Sequence, residues 1–79
     1  MKLKTFITQE NVDLYHPQAI NLVITSIGIT TLIQNPEEPQ STRIQRNAAY
    51  VEYMYGVDIM DMNVQNYDYD GQTAVYTLK

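Results

Sequence analysis

One well-bounded helix constrains this chain more than any other feature. Thr42-Arg43-Ile44-Gln45 has the form of a capping box, in which Thr42 accepts from a first-turn amide and Gln45 reaches back. Ile44, Ala48, Val51 and Tyr55 follow at i, i+4, i+7 and i+11, one stripe of an amphipathic helix. Gly56 stands where a left-handed C-cap residue belongs. The spacing predicts a helix over 41–55 with a single apolar face, and that face needs another layer to cover it.

The covering layer must come from little material. At 79 residues and 9.1 kDa the chain makes a single domain, 1–79. A chain of this size buries only about 60% of its unfolded surface. With no cysteine, neither disulfides nor a thiolate metal site can add stability. Oligomerisation is a common remedy for a small core, so a homodimer is one expected state. Apolar residues at 44% give a globular balance. Met1-Lys2-Leu3-Lys4 is basic, but Thr5, Thr8, Gln9 and Glu10 interrupt any apolar run, unlike a signal peptide. The stretch 19–33 includes five polar residues and falls short of the ~18–20 apolar residues of a membrane span. The expectation is a cytoplasmic protein that does not enter a membrane.

The other elements are read from shorter signals. Residues 3–8, with Phe6, Ile7 and two threonines, read as a strand, and 9–15 as a loop. Ile20, Val23, Ile24 and Ile27 fall on a helical stripe, with Pro17 in its first turn and Gly28 past its end. Against that helix stand many β-branched residues and the alternation of Ile20, Leu22 and Ile24, which favour a hairpin turning near Gly28. The helix is preferred because both of its boundary signals agree. Residues 29–34 read as a strand, and Asn35-Pro36-Glu37-Glu38-Pro39 as a connecting loop. Residues 57–66 read as a strand with a change of phase between Ile59 and Met60, a bulge or a bent start. Asp70-Gly71 is a turn, and Ala74, Tyr76 and Leu78 share one face of a last strand. The result is an α+β domain in the order β-α-β-α-β-β, ending in a β-hairpin. The alternative is one helix on an antiparallel sheet.

Motifs of known chemistry are missing. His16 is the single histidine, and no cysteine can partner it. Of the serines, Ser41 is better explained as a helix-entrance residue than as a nucleophile. Gly28, Gly56 and Gly71 are isolated and build no phosphate loop. No cofactor is implied, and an enzyme is not expected. Asn66-Tyr67-Asp68-Tyr69-Asp70-Gly71 matches the first half of an EF-hand calcium loop, but Thr77 stands where the bidentate Glu should be. A polar hairpin turn explains it better, with a weak calcium site as the lesser reading.

Charge and tyrosine are unevenly spread. Between Arg46 and Lys79 there is no basic residue, whereas Glu52, Asp58, Asp61, Asp68 and Asp70 lie there with six of the seven tyrosines. A net charge of −4 argues against a nucleic-acid ligand. Mimicry of a DNA duplex is also disfavoured: a ~25 Å face would need roughly fifteen charges, and the chain has nine carboxylates in all. On a helical wheel Tyr55 joins the core stripe. Tyr53 lies opposite, with Tyr50 leaning towards it and Arg43 and Arg46 sharing that outer face. Tyrosine and arginine exposed together are hot-spot residues, although tyrosines that cover a sheet or a homodimer contact fit equally well.

The expected function is a non-catalytic interaction protein, of the kind viral and mobile-element accessory proteins provide. It would bind and inhibit a larger host protein with a basic surface, such as a defence or nucleic-acid enzyme. The contact residues would be Arg43, Arg46, Tyr50 and Tyr53, or the hairpin with Asp58, Asp61, Tyr67, Asp68, Tyr69 and Asp70. An oligomer holding a nucleotide-like ligand, with tyrosine stacking and an arginine on phosphate, is the alternative. A structural or assembly subunit is a third class.

Overall fold

The computed structural model describes residues 1–9, 12–15, 19–26, 28–34 and 37–79. Three helices, α1 (Leu3–Gln9), α2 (Val12–Tyr15) and α3 (Gln40–Tyr55), accompany four strands, β1 (Asn21–Ser26), β2 (Ile29–Gln34), β3 (Val64–Tyr69) and β4 (Thr73–Leu78). A 3₁₀ turn, Ile59–Asp61, precedes β3. The strands form one sheet in the order β2-β1-β4-β3. The α+β class, the long second helix and the C-terminal hairpin are as expected.

Two of the six expected elements exchange identity. Residues 3–8, expected as a strand, lie in α1, which buries Leu3 and Ile7, one helical turn apart. A further short helix, α2, occupies part of the expected loop. The expected helix at 17–28 is instead β1, with Leu22, Ile24 and Ser26 buried in strict alternation. It pairs antiparallel with β2, Ser26 opposite Ile29, as the alternative reading had it. That alternative also needs correction, because β1 runs parallel to β4, with Val23 opposite Val75. His16, Pro17, Asn35 and Pro36 lie outside the described residues.

Alternation sorts the sheet into two faces. Leu22, Ile24, Ala74, Tyr76 and Leu78 point inward and join Leu3, Ile7 and Val12 of α1 and α2 and Ile44, Ala48 and Val51 of α3 in one core. All three helices thus sit on one face, a two-layer arrangement. Phe6 places α1 over the β3–β4 half, its ring 5.3 Å from Tyr67 and 6.0 Å, edge-on, from Tyr76.

At the start of α3 the expected capping box does not form. Gln40 begins the helix, Pro39 precedes it, and no local side chain caps it. The cap arrives from α2 instead: Asp13 Oδ1 accepts from the Ser41 amide at 2.9 Å and Oδ2 from the Ser41 hydroxyl. At the other end Gly56 takes φ 71° and donates to the Glu52 carbonyl, as its position predicts.

The change of phase after Ile59 is the 3₁₀ turn, in which the Met60 amide donates to Asp58 Oδ1. The bulge lies further on, at Gln65, between the Val64–Leu78 and Asn66–Thr77 pairs. Asp70-Gly71 turns the hairpin as predicted, with Gly71 at φ 96°.

Candidate interaction surface

Among the described residues, most of the exposed large apolar side chains lie on α3. Tyr53, opposite the stripe, is 87% exposed, and Tyr50, Met54 and Tyr55 are each between 52% and 57%. Tyr50 and Tyr53 are where the helical wheel puts them. Tyr55, expected in the core, is not, because it stands in the last turn before Gly56, beyond the buried Ile44, Ala48 and Val51. Met54 was not anticipated; its spacing one turn after Tyr50 was the available signal.

The two arginines of this helix part company. Arg46 stays exposed and forms a two-pronged ion pair with Glu38, Nη1 to Oε1 at 2.9 Å. That partner holds the Arg46 pKa above its ordinary value. Arg43 does not share the outer face as expected: it is 0% exposed. Its Nη2 donates to the Ala19 carbonyl at 2.8 Å, ahead of β1, while Nε and Nη1 have no acceptor among the described residues. Burial lowers its pKa, and the nearby charges of Glu38 and Asp13 oppose the shift. Arg43 sits about 100° round the helix from Ile44, at the margin of the stripe, and its long stem reaches inward from there. A surface role in gripping a phosphate is therefore not open to Arg43 as it is placed.

Between this flank and β2 runs a groove of about 300 Å³ lined by Ile33, Arg43, Arg46, Asn47 and Tyr50. The lining residues of α3 recur at i, i+3, i+4 and i+7, so they form the flank of the helix that borders β2. Met54, four residues after Tyr50, continues it.

The hairpin candidates are distributed differently. Tyr67 is half-buried, its ring 4.7 Å from that of Tyr76. Its hydroxyl lies beside Gln40 and Tyr76, and burial raises its pKa. Tyr69 is also half-buried and packs against the core. The acids are exposed but engaged by the fold. Asp58 caps the 3₁₀ turn, and Asp61 meets Lys2 Nζ at 2.8 Å and Lys4 Nζ at 3.1 Å, which lower its pKa. Asp68 accepts from Asn66 Nδ2 at 2.8 Å. Asp70 accepts from the Thr73 and Gln72 amides at 2.7 and 2.8 Å, which lower its pKa as well.

These bonds also bear on the calcium half-motif. Asn66, Tyr67, Asp68 and Tyr69 lie in β3, not in a loop, and Asp70 is spent on its turn. Among the described residues no group of three or more acids or histidines is placed to hold a metal ion. Of the two serines in the chain, Ser41 bonds Asp13 at the helix entrance, and buried Ser26 donates to the Met62 sulfur. No helix among the described residues is long and apolar enough to cross a membrane.

Comparison with protein-family models, curated proteins and solved structures finds no match to this chain.

Proposed function

We propose that this domain is a non-catalytic interaction protein whose contact surface is the outer and β2-side face of α3. The observation that supports this reading is the exposure of Tyr50, Tyr53 and Met54 on consecutive turns of one regular helix. Large aromatic side chains on a rigid element bind with little loss of conformational freedom, which is why tyrosine recurs in binding hot spots. Arg46 borders the patch, its charge offset by Glu38. The contact is thus apolar at its centre and polar at its rim, the anatomy of a protein interface.

The acidic hairpin contributes less to this reading than the sequence suggested, since its carboxylates close turns and tie down the N-terminal lysines. The proposed partner is a larger protein, and the accessory-inhibitor form of the proposal makes that partner a host defence or nucleic-acid enzyme. The test is a tagged pull-down from native host lysate with the wild-type chain and the Tyr50→Ala/Tyr53→Ala pair. The expected result is one stoichiometric partner, bound at least about tenfold more weakly by the variant, which circular dichroism shows to be folded. Undiminished capture by the variant overturns the assignment of this face.

A further inference from the structure

The two edges of the sheet are built on opposite plans. The β3 edge is guarded at its start, where Val64 N donates to the Met1 carbonyl and Leu3 N to the Met62 carbonyl, each at 2.8 Å. Beyond that come the Gln65 bulge and the carboxylate of Asp68. Covering, bulging and charging an edge are the three usual devices against strand-to-strand association. Among the described residues the β2 edge shows none of them. Its sequence, Ile29-Thr30-Thr31-Leu32-Ile33-Gln34, has no charge and no proline, and four of the six residues are β-branched. Its register with β1 runs unbroken from Asn21–Gln34 to Ser26–Ile29. Among the described residues no strand pairs with its outer side.

We infer that two copies of this chain pair antiparallel through β2, giving one continuous eight-stranded sheet with the β2-side flanks of the two α3 helices facing across the two-fold axis. The inference rests on the reading of α3 as a contact face and names the first occupant of its β2-side flank as a second copy.

Charge placement favours that occupant. β2 itself carries no charge, and Arg46 on the flank beside it is paired with Glu38. The β3 edge, by contrast, carries the exposed carboxylate of Asp68 in mid-strand. Two copies joined at β2 keep their acidic edges at opposite ends of the sheet, whereas joining at β3 would bring the Asp68 carboxylates together.

Geometry agrees. Arg43 reaches Ala19 at the entrance to β1, and the groove is shared with Ile33 of β2, so this flank of α3 borders the β2 edge. Half-exposed Tyr50 and Met54 are the side chains on that flank. A two-fold contact of this kind is self-complementary by construction.

Sedimentation equilibrium of the full chain, over about two decades of concentration around the micromolar range, tests the inference. The expected species has twice the mass of the 9.1 kDa chain. Thr30→Lys on the bare strand and Met54→Lys on the helix flank each put like charges across the axis, and each should weaken the dimer by about tenfold or more. Asp68→Lys on the guarded edge should leave the dimer intact, and circular dichroism checks that every variant is folded. A wild-type monomer throughout overturns the inference, as does a dimer that Asp68→Lys weakens as much as Thr30→Lys does. So does a monomer whose foreign partner is lost with Thr30→Lys, because β2 then takes a strand from another protein. The two readings fail separately: a β2 dimer that captures no foreign protein supports this one and sinks the interaction reading. A monomer whose partner is lost only with Tyr50→Ala/Tyr53→Ala does the reverse.

Discussion

The tyrosines of α3 and those of the β3–β4 hairpin have opposite fates. Tyr50, Tyr53 and Tyr55 are all more than half exposed, whereas Tyr76 is 0% exposed and Tyr67 and Tyr69 are half-buried against the core. Composition treats the six alike, and the expected contact residues drew on both groups, Tyr50 and Tyr53 from the helix and Tyr67 and Tyr69 from the hairpin. Backbone period separates them. In a strand every second side chain must face the helices, and Tyr67, Tyr69 and Tyr76 all fall on that parity. In a helix only about a third of positions face the core, and Ile44, Ala48 and Val51 already occupy them. The hairpin tyrosines therefore hold the fold together, and those of α3 are left at the surface.

The largest test of that division is truncation of Tyr76. Its ring contacts Phe6 and Tyr67, and its hydroxyl donates to Gln40 Oε1 at 2.9 Å. Removing a fully buried aromatic side chain costs ~3–5 kcal/mol, a large share of the stability of a domain this small. Tyr76→Ala should therefore be mostly unfolded or melt far lower in a urea titration, while Tyr53→Ala should stay within about 0.5 kcal/mol of wild type. Equal losses from the two would end the distinction between packing and contact tyrosines.

Particular residues show how far the sequence could be read. Gly28 misled because it satisfies both readings of residues 17–28. A helix C-cap and a tight hairpin turn each call for a positive φ, and Gly28 has φ 70°. The deciding difference was Leu22, which the helical stripe left out and the strand buries completely. Residues 3–8 offered too few turns for a helical period to show. Their threonines, which favour strands, are tolerated because Thr8 Oγ1 can bond the Lys4 carbonyl one turn back. In the candidate site the wheel located Tyr50 and Tyr53 correctly, because a helix fixes angular position. It misplaced Arg43 because charge was equated with exposure, and a long side chain at the margin of the stripe can be drawn inward. The Asp13–Ser41 contact, 28 residues apart in sequence, left no local trace at all.

That long-range cap gives the intermediate test. Isolated α3 ends in unpaired amides, and Asp13 supplies an acceptor that the helix's own sequence does not. Asp13→Ala should cost ~1–2 kcal/mol, in the range of a lost N-cap, and Asp13→Asn appreciably less, since an amide oxygen still accepts from Ser41 N. Because α3 carries the exposed tyrosines, the Ala variant should lower partner binding only in proportion to its unfolded fraction. Thermal melts and a binding titration on one sample separate these effects. A tenfold loss of binding with an unchanged melt would make Asp13 part of the contact surface and blur the division drawn above.

The smallest effect concerns the acids. Asp70 is held ionised by the Thr73 and Gln72 amides and Asp61 by Lys2 and Lys4, so both have folded pKa values below those of the unfolded chain. The sign follows from linkage. The unfolded chain takes up protons first as pH falls, so the stabilisation is complete above a pH of about 4 and drains away through the lower folded values. Both groups lie at the surface, where solvent and salt weaken such pairs, so Asp61→Asn or Asp70→Asn should shift the neutral-pH melting temperature by no more than a few degrees. Their signature is in the pH profile: each variant should lose less stability than wild type between about pH 5 and pH 2. Partner capture at neutral pH should not change, because these carboxylates serve the Asp70 turn and the N-terminal lysines. An unaltered acid profile combined with lost capture would move the contact surface from the tyrosines of α3 to the acidic hairpin.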